Sequence, residues 1–199
     1  MLDADTLGQA RLYALKRLER ELSPGLLYHG LAHSRDDVVP AAERLADGEG
    51  IRGEALYLLL TAAWFHDLGF IEQRADHEMA SARLAAEILP SLGYGAAQIQ
   101  TIQGIVLATV VPQAPATILE NIMADADLDV LGREDFMRRN DHLRRELAFF
   151  GQEFTDAEWW AGQLQFVLSH TYFTASACAL RDAGKLRNIA ALQQLLTRL

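Results

Sequence analysis

From Gly53 to Leu68 the chain reads GEALYLLLTAAWFHDL, a stretch that is apolar almost all the way round a helical wheel. A helix of this kind has to be enclosed by other elements, so the segment predicts a central buried helix around which the rest of the chain is arranged. His66 and Asp67 break the pattern at its end. They set an imidazole and a carboxylate against apolar surroundings, where uncompensated polar groups are costly to bury. A bound cation is one form of compensation.

The remaining segments also carry helical spacing. Leu7, Leu12, Leu15, Leu18 and Leu22 form one apolar stripe, stopped by Ser23-Pro24-Gly25. Ser34 is placed to cap a second helix with Val38, Val39, Ala42, Leu45 and Ala46 on its apolar face, broken at Asp47–Gly50. Gly69 fits a helix C-terminal glycine. Further helices are expected over about 76–89, 96–110, 117–131, 134–149, 156–170 and 174–199, the last with a possible break at Gly184. There is no alternating period-two run longer than four residues, no GxGxxG, no P-loop, no internal repeat and no low-complexity linker. The expectation is an all-α fold in one domain over 1–199, with a core at about 25–132 and C-terminal helices at about 133–199 packed on it.

With a net charge of −9 and a pI near 5.1, the chain is a poor candidate for general nucleic-acid binding, which depends on Lys and Arg against phosphates. A small phosphorylated ligand is still compatible, because a cation or a local basic cluster can hold it. Cys178, the one cysteine, excludes an intrachain disulfide and lies among small residues in TASACALRD, where packing is its expected role. MLDADTLGQAR lacks a signal-peptide core, and no stretch of 18 uncharged apolar residues occurs, so no membrane partner is expected and the cytoplasm is the expected compartment.

The His66-Asp67 doublet gains meaning from two other segments. His33 lies upstream in YHGLAHSRDDVV, and ADADLD lies downstream at Ala124 to Asp129. Neighbours on a helix point about 100° apart, but at a helix end two adjacent side chains can both reach a cation off the terminus. His33 enters from a glycine-containing loop, and Asp127 completes the set from a later helix. Two imidazoles and two carboxylates suit one divalent cation such as Mn, Fe, Co or Ni, with Zn or Mg as further options, and leave positions for water and substrate.

In these segments the chain resembles the HD-domain metal-dependent phosphohydrolases, named for the His-Asp doublet. YHGLAH, WFHDLG and DADLDVLG carry the likeness, and HEMASARLAAEILPSLGY, ATVVP, RREL, HTYFT and LRNIA extend it toward a bacterial subgroup over roughly 25–190. The resemblance implies an HD-like helical bundle with a C-terminal helical extension. It implies His33, His66, Asp67 and Asp127 as metal ligands, with Asp125 the substitute for Asp127. It also implies metal-assisted hydrolysis of a small phosphorylated metabolite, a nucleotide or related phosphoester, in which Asp67 positions water and His77 or Glu78 moves a proton. Phosphate contacts are sought at Arg144, Arg145, His170 and Lys185, and also at Arg35, Arg181 and Arg187. The stretch after Ala108 lacks the extra histidine of two-metal members, which favours one metal and leaves a second at His77 open. Glu72 is only an approximate match to the acid that follows the doublet in some members.

Two other readings remain: a non-enzymatic HD-type module that binds a nucleotide or a partner, and, against the histidine-poor TVVP stretch, a di-iron HD-fold oxygenase. His29 and His142 read as structural or solvent-facing, with His29 also a candidate for the pocket mouth. The pairs Arg138-Arg139 and Arg144-Arg145 read as a solvated helix face. Trp159-Trp160 reads as packing between the C-terminal helices and the core.

Overall fold

Leu59, Ala62, Ala63 and Phe65 have no exposed surface, as a helix apolar on all sides requires. The structure, a computed structural model, describes residues 2–199. The α-helices among them are α1 (Ala4–Glu21), α2 (Val39–Gly48), α3 (Gly53–Phe65), α4 (His77–Ile88), α5 (Ala96–Leu107), α6 (Ile118–Asp127), α7 (Phe136–Phe149), α8 (Asp156–Ser169) and α9 (Ala175–Leu196). No strand occurs among the described residues, and none of their helices is long and apolar enough to cross a membrane. The fold is all-α.

The buried helix α3 is sheathed by α1, α2, α5 and α6. Leu18, Leu45, Leu59, Phe65, Leu89, Ile102, Ile105, Ile122 and Met123 fill this first core. Ala10, Ala14 and Leu18 of α1 are buried in it, with Leu7, Leu15 and Leu22 packed against it and Leu12 exposed, so this apolar core includes residues before 25. A second, smaller cluster joins Tyr28, Val130 and Leu131 to Phe136, Val167 and Leu192 of α7, α8 and α9. The two clusters meet along the segments that follow α6 and precede α2. Trp159 packs between the C-terminal helices, its Nε1 donating to Asn140 Oδ1 at 2.6 Å.

Helix starts follow capping chemistry. Asp3, Thr117, Thr155 and Thr174 each accept a backbone N–H of the first turn. Ser34 does not act in this way. It is buried inside a π-helical turn, His33–Val38, in which the Val39 N–H reaches the Ser34 carbonyl, and this turn runs directly into α2. The helices expected to reach 110 and 131 stop earlier, at Leu107 and Asp127. A 3₁₀ turn, Asp129–Gly132, follows α6, as another, Leu68–Ile71, follows α3.

Gly69 and Gly184 serve close approach rather than helix termination. Gly69 is not left-handed, and a Cβ on it would lie 2.0 Å from the His77 carbonyl oxygen, so its glycine lets the start of α4 sit on the 3₁₀ turn. Its N–H donates to Ser81 Oγ at 2.7 Å. α9 runs unbroken through Gly184, where a Cβ would meet the Gly132 carbonyl oxygen at 1.9 Å. Gly132 in turn lies against the Arg181 backbone. These two glycines dock the C-terminal helix against the turn after α6.

Two mid-helix glycines should therefore respond oppositely to alanine. Gly184→Ala overpacks the α9 contact and is expected to cost about 1–3 kcal/mol. Gly162→Ala in α8 meets no atom within 4 Å and should stabilise by up to about 1 kcal/mol through helix propensity. Urea denaturation of the two variants and the parent checks both signs.

Candidate metal centre

α3 delivers His66 at its C-terminal cap and Asp67 one residue later, where the backbone leaves the helix. The imidazole is fixed by its own helix: Nδ1 lies 2.8 Å from the Ala63 carbonyl, which can only accept, so Nδ1 carries the proton and Nε2 is the free nitrogen. His33 comes from the π-helical turn and Asp127 from the last residue of α6. His33 Nε2 is 3.1 Å from Asp127 Oδ1 and 3.7 Å from Asp67 Oδ2. His66 Nε2 is 3.3 Å from Asp67 Oδ2 and 3.6 Å from Asp127 Oδ1. One ligand atom from each of His33, His66 and Asp127 falls within 4.8 Å of the others.

This donor set fits a divalent cation. His66 Nε2 and Asp67 Oδ2 are both buried and neither has a hydrogen-bond partner, although they face the same small space. Native interiors rarely leave such atoms unpaired without a reason. Two carboxylates lie at the carbonyl ends of α3 and α6, where helix dipoles add further negative potential. Burial alone pushes His66 down, but the Asp67 carboxylate, followed by Asp127, outweighs it and lifts the imidazole to about 9. Burial likewise pushes Asp67 up, and the neighbouring imidazoles His66, His77 and His33 hold it well below the ordinary carboxylate range. Both shifts express one demand for positive charge at this point.

Asp125, the alternative to Asp127, is placed elsewhere. Its oxygens accept from the Phe173 and Thr174 N–H groups at 2.8 Å each and from Thr174 Oγ1 at 2.7 Å, which anchors the start of α9. Burial pushes its carboxyl up despite those bonds.

A cavity of about 220 Å³ opens beside the cluster, bounded by the core on one side and by α7 and α8 on the other. Asp67, Asp127, His77 and Glu78 line its polar end. His77 Nε2 is 3.3 Å from Asp67 Oδ1, its Nδ1 is 3.4 Å from Glu78 Oε2, and its ring stacks on Phe70 with centres 3.8 Å apart.

Four residues expected to bind substrate do not line this cavity, and two of the expected solvated groups do. Arg144 donates to the Phe154 carbonyl at 2.7 Å and pairs with Asp156; Arg145 is exposed near Asp141. Lys185 donates to the carbonyl and, at 3.2 Å, to Nδ1 of His170, and His170 lines a neighbouring cleft. Arg35 is exposed against Asp36, and Arg181 is bound to Asp129. By contrast Arg139, read as solvated, is buried on the cavity wall with its guanidinium 2.6 Å from Asp37 Oδ2.

His29 also lines the cavity, and its orientation is fixed from 117 residues away. Glu146 of α7, almost fully buried, accepts from the Tyr28 and His29 N–H groups at 2.8 and 3.0 Å and lies 2.6 Å from His29 Nδ1. Two of these bonds hold His29 and the third its neighbour Tyr28, and Nδ1 is the ring nitrogen they engage. Burial lowers the His29 pKa, yet the Glu146 bond together with the charges of Asp67, Glu146 and Asp127 more than reverses this and raises it. Nothing in the sequence links these two residues. A local signal existed only on α7, where Arg139, Asn140 and Glu146 share the buried face of Phe136.

No protein-family model matches the chain, and no curated protein matches it. Among solved structures, the crystal structure of a Lactobacillus plantarum protein, determined as a structural-genomics target, matches with a TM-score of 0.69 and 21% identity. The match covers 100% of this chain and 96% of that one. At that identity the likeness concerns the fold alone, and it supports the all-helical architecture.

Two predictions follow from the placements. Millimolar Mn²⁺ is expected to raise the thermal midpoint of the parent, a ligand at 100 times its Kd adding about 2.7 kcal/mol. Asp127→Ala should lose that increment, whereas Asp125→Ala should lose intrinsic stability and keep the increment, as read by calorimetry with and without metal. The second concerns His170, which burial and the Lys185 charge push down to about 4. Its folded value lies below the ordinary value near 6.5, so the unfolded chain binds the proton first as pH falls. Between pH 6.5 and 4 this residue should therefore cost roughly 2–3 kcal/mol of stability, and His170→Gln should flatten that part of the denaturation profile.

Proposed function

We propose that this protein is a divalent-metal-dependent phosphohydrolase of HD type acting on a small phosphorylated metabolite. The observation that carries the reading is the convergence of His33, His66, Asp67 and Asp127 on one buried point, with His66 Nε2 and Asp67 Oδ2 lacking any other partner, at the wall of a cavity. The resemblance of the three segments to HD phosphohydrolases supports the same conclusion. A cation bound by these residues supplies charge stabilisation for a phosphoryl group and a water of lowered pKa.

The chain's own groups account for the remaining tasks. Asp67 offers a second oxygen, Oδ1, to His77 Nε2, so the carboxylate that would orient water is itself held in place by an imidazole. Glu78 and the Arg74 carbonyl flank His77 Nδ1 and fix that ring. His29, held through Nδ1 by Glu146, lines the cavity with Nε2 left uncommitted and is the group we assign to give a proton to the departing oxygen. Arg139 adds a guanidinium to the wall, with its Nε–H unpaired. In the overall reaction the ester P–O bond breaks, the water oxygen joins phosphorus, and the leaving oxygen takes up a proton. Glu146 acts through His29 and is a positioning residue.

Elemental analysis of the purified protein, followed by a phosphoester screen with Mn²⁺, Ni²⁺ and Co²⁺, tests the proposal. About one metal per chain and hydrolysis are expected, with both lost in Asp67→Ala. Glu146→Gln should keep its metal and lose kcat by roughly 10–100-fold, with a shifted acidic limb in the pH–rate profile. Equal turnover by Asp67→Ala and the parent overturns the assignment. A metal-loaded protein that turns over no ester but is stabilised by phosphorylated ligands favours the non-enzymatic binding module instead.

A further inference from the structure

We infer that the substrate is a phosphomonoester with a single phosphoryl group and a compact, uncharged, largely apolar body that ends in an oxygen acceptor. The inference rests on the phosphohydrolase reading for its phosphoryl end and on the cavity walls for its body.

Charge limits the phosphoryl end. Asp67, Asp127 and Glu78 all line it, so even with a divalent cation in place the surroundings carry little surplus positive charge. Arg139 is the one Lys or Arg on the cavity wall, and its charge is offset by Asp37 at 2.6 Å. The basic groups that a diphosphate or triphosphate chain needs are tied down elsewhere, Arg181 on Asp129 and Lys185 on His170. Each phosphate beyond the first would enter against carboxylates without a counter-charge.

Packing limits the body. Beyond the carboxylates the larger part of the wall is apolar, Val111, Val130, Leu131, Phe136, Leu143 and Phe166 among it, and Tyr28, His29, Thr109, Arg139, Asn140 and Gln163 supply the polar part. An apolar cavity of about 150 Å³ holds a benzene ring; one of about 220 Å³ takes a ring with a short substituent. A ring edged by C–H groups matches the apolar part better than a hexose, whose hydroxyl groups cost about 1–3 kcal/mol for each one left unpaired against it. Gln163 offers a polar contact on the same wall. Asn140 is committed on both amide atoms, with Oδ1 accepting from Trp159 and Nδ2 donating to Gln163 Oε1 at 2.6 Å. That leaves the Gln163 Nε2 hydrogens as donors on the wall, which select a carbonyl or ether oxygen rather than an N–H.

The test compares esters on the Mn²⁺-loaded protein: phenyl phosphate and 4-acetylphenyl phosphate against a hexose phosphate and nucleoside mono-, di- and triphosphates. Expected is a kcat/KM for the aryl esters at least about 100-fold above the others, with the acetyl ester about tenfold better than phenyl. Gln163→Leu should erase the acetyl advantage, bringing 4-acetylphenyl phosphate to the level of phenyl phosphate, and Leu143→Asp should depress both aryl esters. Binding of phenylphosphonate and 4-acetylphenylphosphonate, measured by calorimetry, gives a readout that needs no turnover. Preference for a sugar phosphate or a triphosphate overturns the inference. If no ester is cleaved, the phosphohydrolase reading fails by itself; the body assignment then stands if the phosphonates bind with the same dependence on Gln163 and falls if they do not.

Discussion

Two carboxylates, Asp67 buried and Asp127 half-buried, at the carbonyl ends of two helices set the electrostatic condition that the rest of this molecule answers. Asp67 and Asp127 sit where α3 and α6 run out, so side-chain charge and helix dipole add with the same sign. Two imidazoles answer part of that potential, His66 by being lifted to about 9. The arrangement is stable as a buried unit only with positive charge within it, from protons or from a cation, because unpaired buried charge costs several kcal/mol. A centre with this bias favours the ligand that brings the most charge in the least volume.

The C-terminal helices extend the same arrangement and close it. Asp37, one turn beyond His33, is bound by both Arg133 and Arg139, and Glu146 of α7 grips the Tyr28–His29 backbone ahead of that turn. Asp129, two residues past Asp127, holds Arg181 of α9 through both carboxylate oxygens, at 2.7 and 2.8 Å. The segments that carry His33 and Asp127 are thus tied by ion pairs or charged hydrogen bonds to helices from the last third of the chain, while His66 and Asp67 are held by α3 and the start of α4. The Gly132–Gly184 contact sets the distance at which those bonds are made. Fold and site share these residues, so loosening α9 should loosen the geometry around Asp127 as well.

Much of this was legible in the sequence where the signal was local. The apolar run announced α3 and the leucine stripe announced α1, while Ser34, the one cap named, lies inside a π-helical turn. The four converging side chains also stood out, through the doublet that ends the apolar run and the order of the three segments. Pairings across the chain were invisible. His29 and Glu146 are 117 positions apart, and neither looks unusual in its own segment. Gly69 and Gly184 were legible as glycines but not in purpose, because termination and close approach leave the same letter. Arg144, Arg145 and Lys185 had the right chemistry for phosphate, and the fold spends that chemistry on Asp156, Asp141 and His170.

The exceptions to ordinary patterning fall in one place. Arg139, Asn140 and Glu146 are polar residues on the buried face of α7, His33 opens a π-helical turn, and His66 interrupts an apolar run. All but one of them line the cavity or bear on the groups beside it, and the exception, Glu146, acts there through His29. Sequences are expected to break local rules where function requires it and to follow them elsewhere. A bundle selected for stability alone would carry leucine at position 139 and pair its buried atoms fully. Here the unpaired atoms of His66 and Asp67 face one small space beside a cavity whose wall also carries Arg139, which is the arrangement that a binding site for a charged group on an apolar body would leave.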